Sequence, residues 1–249
     1  MKYLLKHGHL IIDGNKEYLD GSVLVNDERI EDVFIHSNKV DELEYDECID
    51  CSGKIIMPGF FDVCNDNLDY MNGVVLNMSQ ESNQRVYLNY ENDKNNVGDR
   101  KIFIRNSNVS GDELDEKVTG ISNLFVDMKP LSHNSNTLVN AAFTNKYYIE
   151  IDSNELNDIT LKLVVDNIDK NKIMLMSNNK HKIGEQIKRL FKLRVKLTDI
   201  VLYSSLNACR LYNLDKQYGS ISKGKYADLL ILDDELNINK ILYKGKIYD

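Results

Sequence analysis

The sequence predicts an α/β protein in which two strand-rich ends flank a middle of alternating strands and helices. The first observation is a series of short β-branched apolar runs in the first 58 residues, at 3–12, 22–25, 29–35 and 54–57, with Asn26-Asp27 placed to turn a hairpin. The same character returns at 227–232 and 240–248, where Lys244-Gly245-Lys246 supplies a second turn. The third observation is the middle: runs at 86–90, 101–104, 147–151 and 173–176 read as strands, and helical patterns follow several of them.

The helices are justified by spacing. Leu156, Ile159, Leu163 and Val164 form one apolar stripe, with Ser153 or Asn154 as the cap. Ile183, Ile187, Leu190 and Phe191 form a second, and a third runs from a Thr198 cap through Val201 to Leu211. All three stripes are expected to face the core. A (β/α)8 barrel takes roughly 250 residues at ~30 per unit, so residues 59–213 have room for about five units.

Composition narrows the function. A chain of 249 residues can build one large domain or two smaller ones around a real core. With 31 Lys plus Arg against 39 Asp plus Glu the formal charge is −8, the wrong sign for a nucleic-acid ligand, and no basic run offsets it. No apolar stretch reaches the ~20 residues of a membrane span. The opening MKYLLKHGHLIIDG lacks the pattern of a signal peptide, so a cytoplasmic location is expected. Cys48, Cys51, Cys64 and Cys209 are too few and scattered for a disulfide framework, and the Cys48-x-x-Cys51 pair lacks the second ligand pair of a zinc site. Both members of that pair read as strand residues.

Two motifs carry a family resemblance. Residues 49–62, IDCSGKIIMPGFFD, resemble the opening "IDxxGkxvxPGfID" of the amidohydrolase superfamily, and residues 219–229, GSISKGKYADL, resemble its closing "GSIxxGKxADL". Within that superfamily, residues 123–134, NLFVDMKPLSHN, are similar to "HLFNAMPPLHHR" of the N-acetylglucosamine-6-phosphate deacetylases. Residues 138–143, LVNAAF, are similar to their "LVGAAL", and the tail DDELN to their "DxxLN". The resemblance implies a reduced or incomplete TIM-like (β/α) barrel over 59–213, with large deletions between residue 64 and about residue 120. It also implies a small β-sandwich domain built from 1–58 and 214–249.

The chemistry implied by that family is metal-assisted amide hydrolysis, with an Asp as acid/base. Where full members carry a His-x-His pair or a variant of it, this chain reads Cys64-Asn65-Asp66. The metal-ligating Glu matches Glu91, and the two metal-ligating His positions match Asn106 and Asn123. The substrate-contacting His falls on Glu155 and the phosphate-contacting Arg on Asn134, next to the loop residue His133. The catalytic Asp falls on Asn178, whose amide has no basic lone pair to take a proton from water.

The resemblance therefore implies a non-catalytic or nearly non-catalytic homologue, whose expected role is to bind an amino-sugar phosphate or to serve as a partner for a complete enzyme, with no cofactor or at most a weakly held divalent metal. Two other readings stand beside it. One is an active hydrolase with a rebuilt carboxylate site using Asp62, Asp66, Glu91 and Glu155. The other is an assembly protein without a ligand. A homodimer is expected, because missing barrel units leave strand edges that need cover.

Overall fold

The computed structural model describes residues 1–35, 40, 42–62, 73–77, 85–88, 101–104, 124–127, 148–154, 156–177 and 182–248. The chain begins with β1 (Lys2–Ile11), β2 (Glu17–Asn26), β3 (Arg29–Phe34), β4 (Glu47–Asp50) and β5 (Ile55–Pro58). Seven short strands follow: β6 (Phe60–Asp62), β7 (Val74–Asn77), β8 (Arg85–Leu88), β9 (Lys101–Ile104), β10 (Leu124–Asp127), β11 (Tyr148–Ile151) and β12 (Ile173–Leu175). The chain then returns through helices to β13 (Leu229–Leu232), β14 (Ile238–Tyr243) and β15 (Lys246–Tyr248).

Strands from both ends of the chain share one sheet, ordered β15-β14-β13-β5-β1-β2-β3, with β4 also on β1. Past β3 the sheet wraps back on itself. Lys225 and Glu28 carbonyls accept from Ile30 N and Ala227 N, both at 2.9 Å, and Gly224 N donates to Ile30 O at 2.8 Å. Both sequence-predicted turns are present. Asn26 pairs Arg29 across Asp27-Glu28, and Tyr243 pairs Lys246 across Lys244-Gly245. Lys244 (φ 46°) and Gly245 (φ 70°) are both left-handed, the backbone a two-residue hairpin of this hand requires.

β13 explains how this sheet joins the rest of the molecule. Its four residues are all buried. Leu229 and Ile231 face the interior of the wrapped sheet with Val23, Ile30 and Leu242. Leu230 and Leu232 face the other way, with Phe60, Ile151, Leu175 and Leu206. A strand buried on both faces needs an unbroken apolar run, and LLIL is one.

The middle is parallel wherever it pairs. β8 to β12 form a sheet in sequential order, and β6 pairs β7. Seven strands replace the roughly five βα units that the sequence arithmetic allowed. They begin at residues 60, 74, 85, 101, 124, 148 and 173, closer together than the ~30 residues of a standard unit. β7 and β10 fell outside the sequence-predicted runs, while β4 contains Cys48, which read as a strand residue.

The helices require three corrections. Helix α1 (Asp158–Asn167) is capped by Asn157, whose side chain accepts from Thr160 N at 2.9 Å, and not by Ser153 or Asn154. The later start rotates the stripe: Leu161 and Val164 are buried, while Ile159 and Leu163 are 77% and 46% exposed. Helix α2 (Ile183–Lys192) buries Ile183, Ile187 and Leu190 as expected, and Gln186 with them. In the third helix Thr198 is not the cap, because the extended residue at the start is Lys196. That helix runs from α3 (Leu197–Val201) through a π-helical turn (Leu202–Leu206) into α4 (Asn207–Leu211).

Candidate functional site

The carboxyl ends of parallel strands are where α/β proteins collect their working groups, and here they carry buried polar side chains. Asp62 ends β6, Glu150 lies in β11 with Asp152 and Ser153 just beyond it, and Ser177 follows β12; all five are buried. Met176 N donates to Ile151 O at 3.0 Å, which extends the β11–β12 pairing to the point where the loops leave.

Side chains fasten β6 to β12 at both ends. At the carboxyl end Ser177 N donates to Asp62 Oδ1 at 3.4 Å, and the Ser177 hydroxyl donates to Asp62 Oδ2. At the amino end the third helix holds both strands. Ser205 Oγ donates to Gly59 O at 2.8 Å, and Asn207 Nδ2 donates to the Lys170 and Ile173 carbonyls, each at 2.7 Å. A buried amide with two such contacts stiffens its surroundings, since releasing a buried carbonyl from its donor costs about 1–3 kcal/mol.

Gln186 performs the same task between β11 and β12. Its Oε1 accepts from Ser153 N at 2.9 Å and its Nε2 donates to Met176 O at 2.6 Å, so one side chain joins the two loops. Ser153 Oγ returns a long bond to Gln186 O at 3.5 Å. One turn further on, Arg189 donates to the Ser153 carbonyl, to Leu156 O at 2.6 Å and to Asp158 Oδ1 at 2.6 Å. α2 is thus a clamp on the segment from Ser153 to Asp158. The sequence signal for Gln186 was a polar residue inside an apolar stripe, three positions after Ile183 and one before Ile187.

The sequence-predicted site residues Glu91, Asn106, Asn123, His133, Asn134, Glu155 and Asn178 all lie outside the described residues, as do Cys64, Asn65 and Asp66. In sequence, Asn178 follows Ser177 directly and Glu155 sits between Asn154 and Leu156. Sequence reasoning named Asp62 as a carboxylate ligand, and the structure places it as the acceptor of the Ser177 brace.

Among the described residues no three His, Cys, Asp or Glu side chains come together as a metal site. The resemblance implies a divalent ion; of the carboxylates named for it, Asp62 lies among the described residues, and with both oxygens engaged by Ser177 it does not suit a metal ligand. Cys51 is equally unsuited to metal or redox work, because burial pushes its thiol up to about 12, whereas Cys48 is exposed.

Buried polar groups at the carboxyl ends of parallel strands, beside a sheet shared by both chain ends, define an α/β protein whose polar side chains collect at those ends. Within that class the chain belongs to the amidohydrolase family, whose model matches residues 110–248. No curated protein matches the sequence. Solved structures share the fold at low identity. N-acetylglucosamine-6-phosphate deacetylase from Pasteurella multocida is 11% identical with a TM-score of 0.81, the match covering all of both chains. The Mycobacterium smegmatis deacetylase is 10% identical with a TM-score of 0.77, over 99% of this chain and 100% of that one. The Thermotoga maritima deacetylase is 15% identical with a TM-score of 0.72, over 98% and 99%.

Proposed function

We propose that this chain is a divergent relative of the N-acetylglucosamine-6-phosphate deacetylases that keeps their scaffold and does not hydrolyse the N-acetyl amide at an enzymatic rate. The observation that carries this reading is the set of residues at the chemically decisive positions. Asn178 stands where an acid/base Asp is needed, Asn106 and Asn123 where imidazoles are needed, and Cys64-Asn65-Asp66 contains no His. Removing a general base costs about 10²–10⁴ in rate, and losing the metal also removes the activated water. The substitutions keep a polar, hydrogen-bonding side chain of modest size, which can satisfy a buried polar environment without supplying the chemistry.

The same reading assigns 59–213 to a reduced barrel, with β6 and β12 as the strands that meet, and 1–58 with 214–249 to a β-sandwich. The Asp62–Ser177 brace supports it, because it joins the first and last strands of the parallel set. The ligand class is an amino-sugar phosphate. The M. smegmatis deacetylase, with one aspartate changed to alanine, is in complex with N-acetyl-D-glucosamine-6-phosphate, so a deacetylase scaffold altered at an aspartate holds that compound. The barrel units that the resemblance finds missing would leave strand edges in need of cover, which favours a homodimer; light scattering at micromolar concentration tests it, and a monodisperse monomer would count against it.

The experiment is restoration. Acetate release is assayed with added zinc, iron and manganese, before and after changing Asn106→His, Asn123→His and Asn178→Asp together. The reading expects activity, if any, only in the restored variant. Metal-dependent turnover by the unaltered chain, weakened by Glu91→Gln, would show a rebuilt carboxylate site instead.

A further inference from the structure

Asp228 lies where three turns meet, and it is 5% exposed. Its backbone carbonyl accepts from Gly59 N at 2.9 Å, at the junction where the chain leaves β5 for β6. Its Oδ1 accepts from Lys244 N at 2.5 Å, in the turn between β14 and β15. Its Oδ2 is buried, and among the described residues no donor reaches it.

The β14–β15 turn is wedged in place. Gly245 N donates to Ala227 O at 3.1 Å, and a Cβ on Gly245 would fall 1.6 Å from the Asp27 carbonyl oxygen in the β2–β3 turn. Charged and titratable groups approach Asp228 from each neighbouring segment. Lys244 comes from the β14–β15 turn, with its ammonium 5.5 Å and 5.7 Å from the Tyr226 and Tyr243 ring centroids. Glu28 comes from the β2–β3 turn and adds like charge. The phenols of Tyr218, Tyr226 and Tyr243 and the buried Cys209 thiol of α4 complete the surroundings, and the Arg29 guanidinium lies over the Tyr226 ring at 4.0 Å. A buried carboxylate with one donor is costlier than the neutral carboxyl group in the same place.

We propose that Asp228 is a proton-operated latch: neutral, it holds the β14–β15 turn closed over the β5–β6 junction, and ionised, it releases the turn so that water or the Lys244 ammonium reaches Oδ2. Burial pushes this carboxyl group from its ordinary 3.8 up to about 6, opposed by the Lys244 N–H and ammonium and reinforced by Glu28. A carboxyl group raised in the closed state binds its proton more tightly there than in the open state. The closed turn is therefore fully favoured below the ordinary value and loses that advantage as pH rises through 3.8 to about 6. A gap of about two pKa units changes the closed-to-open ratio by up to ~100-fold. The device does not depend on whether the scaffold hydrolyses or binds a sugar.

The test uses the full chain. Carbon NMR follows the Asp228 carboxyl group, and amide hydrogen exchange at Lys244 and Gly245, corrected for intrinsic rates, is compared between pH 4 and pH 8. The latch predicts a midpoint near 6 and a loss of protection of up to ~100-fold across the same window, abolished in Asp228→Asn. A midpoint near 4 with unchanged protection would overturn it, as would the wild-type pH dependence persisting in Asp228→Asn. Should Asp228→Asn fail to fold, the wild-type titration and exchange decide alone.

Discussion

Replacing Gln186 by Leu isolates the role of the α2 clamp. The side chain is completely buried on a face it shares with Ile183, Ile187 and Leu190, so a leucine of similar volume fills the site with little cavity. What it removes is polar. Ser153 N loses its acceptor at 2.9 Å and Met176 O loses its donor at 2.6 Å. Each buried group deprived of a partner costs about 1–3 kcal/mol, so the pair predicts a loss of about 2–6 kcal/mol. That is a large part of the 5–15 kcal/mol typical of a folded domain. Urea unfolding followed by circular dichroism measures the loss, and hydrogen exchange at Ser153 reports the local opening. A Gln186→Leu variant within ~0.5 kcal/mol of wild type, with Ser153 still protected, would refute the clamp.

Other expectations follow from equally local features. Ser177→Ala removes the hydroxyl donor to Asp62 and is expected to cost about 1–3 kcal/mol in urea unfolding. The corrected phase of α1 predicts that Ile159→Gln changes stability by less than ~0.5 kcal/mol while Leu161→Ala costs about 2–5 kcal/mol; the reverse order would restore the sequence-derived phase. Alkylation of the native protein at pH 8, mapped by mass spectrometry, is expected to mark Cys48 before Cys51 and Cys209. Burial raises the latter two thiols to about 12, and unfolding should equalise all three.

The elements that were legible in the sequence are those whose local pattern is decisive. The β14–β15 turn announced itself through Lys244-Gly245, and the apolar face of α2 through three residues at helical spacing. A four-residue apolar run fits strand and helix alike, so such strands were legible unevenly: β9 was read as a strand and β10 was not. α1 was misphased by starting its stripe at Leu156, two residues before the helix begins. The candidate site divides the same way. Family motifs marked Glu91, Asn106, Asn123 and Asn178, but nothing local says that Gln186, Ser177 and Asn207 tie strands together. Such braces are long-range pairings, formed between residues that only the folded chain brings together.

Metal content and acetate release from N-acetylglucosamine 6-phosphate, measured on one purified sample of the unaltered chain, test whether this amidohydrolase scaffold has lost the donors its family's chemistry requires. A scaffold without them shows no stoichiometric divalent metal and no release above the uncatalysed rate, with or without added zinc, iron or manganese. A bound metal accompanied by metal-dependent acetate release would contradict that loss.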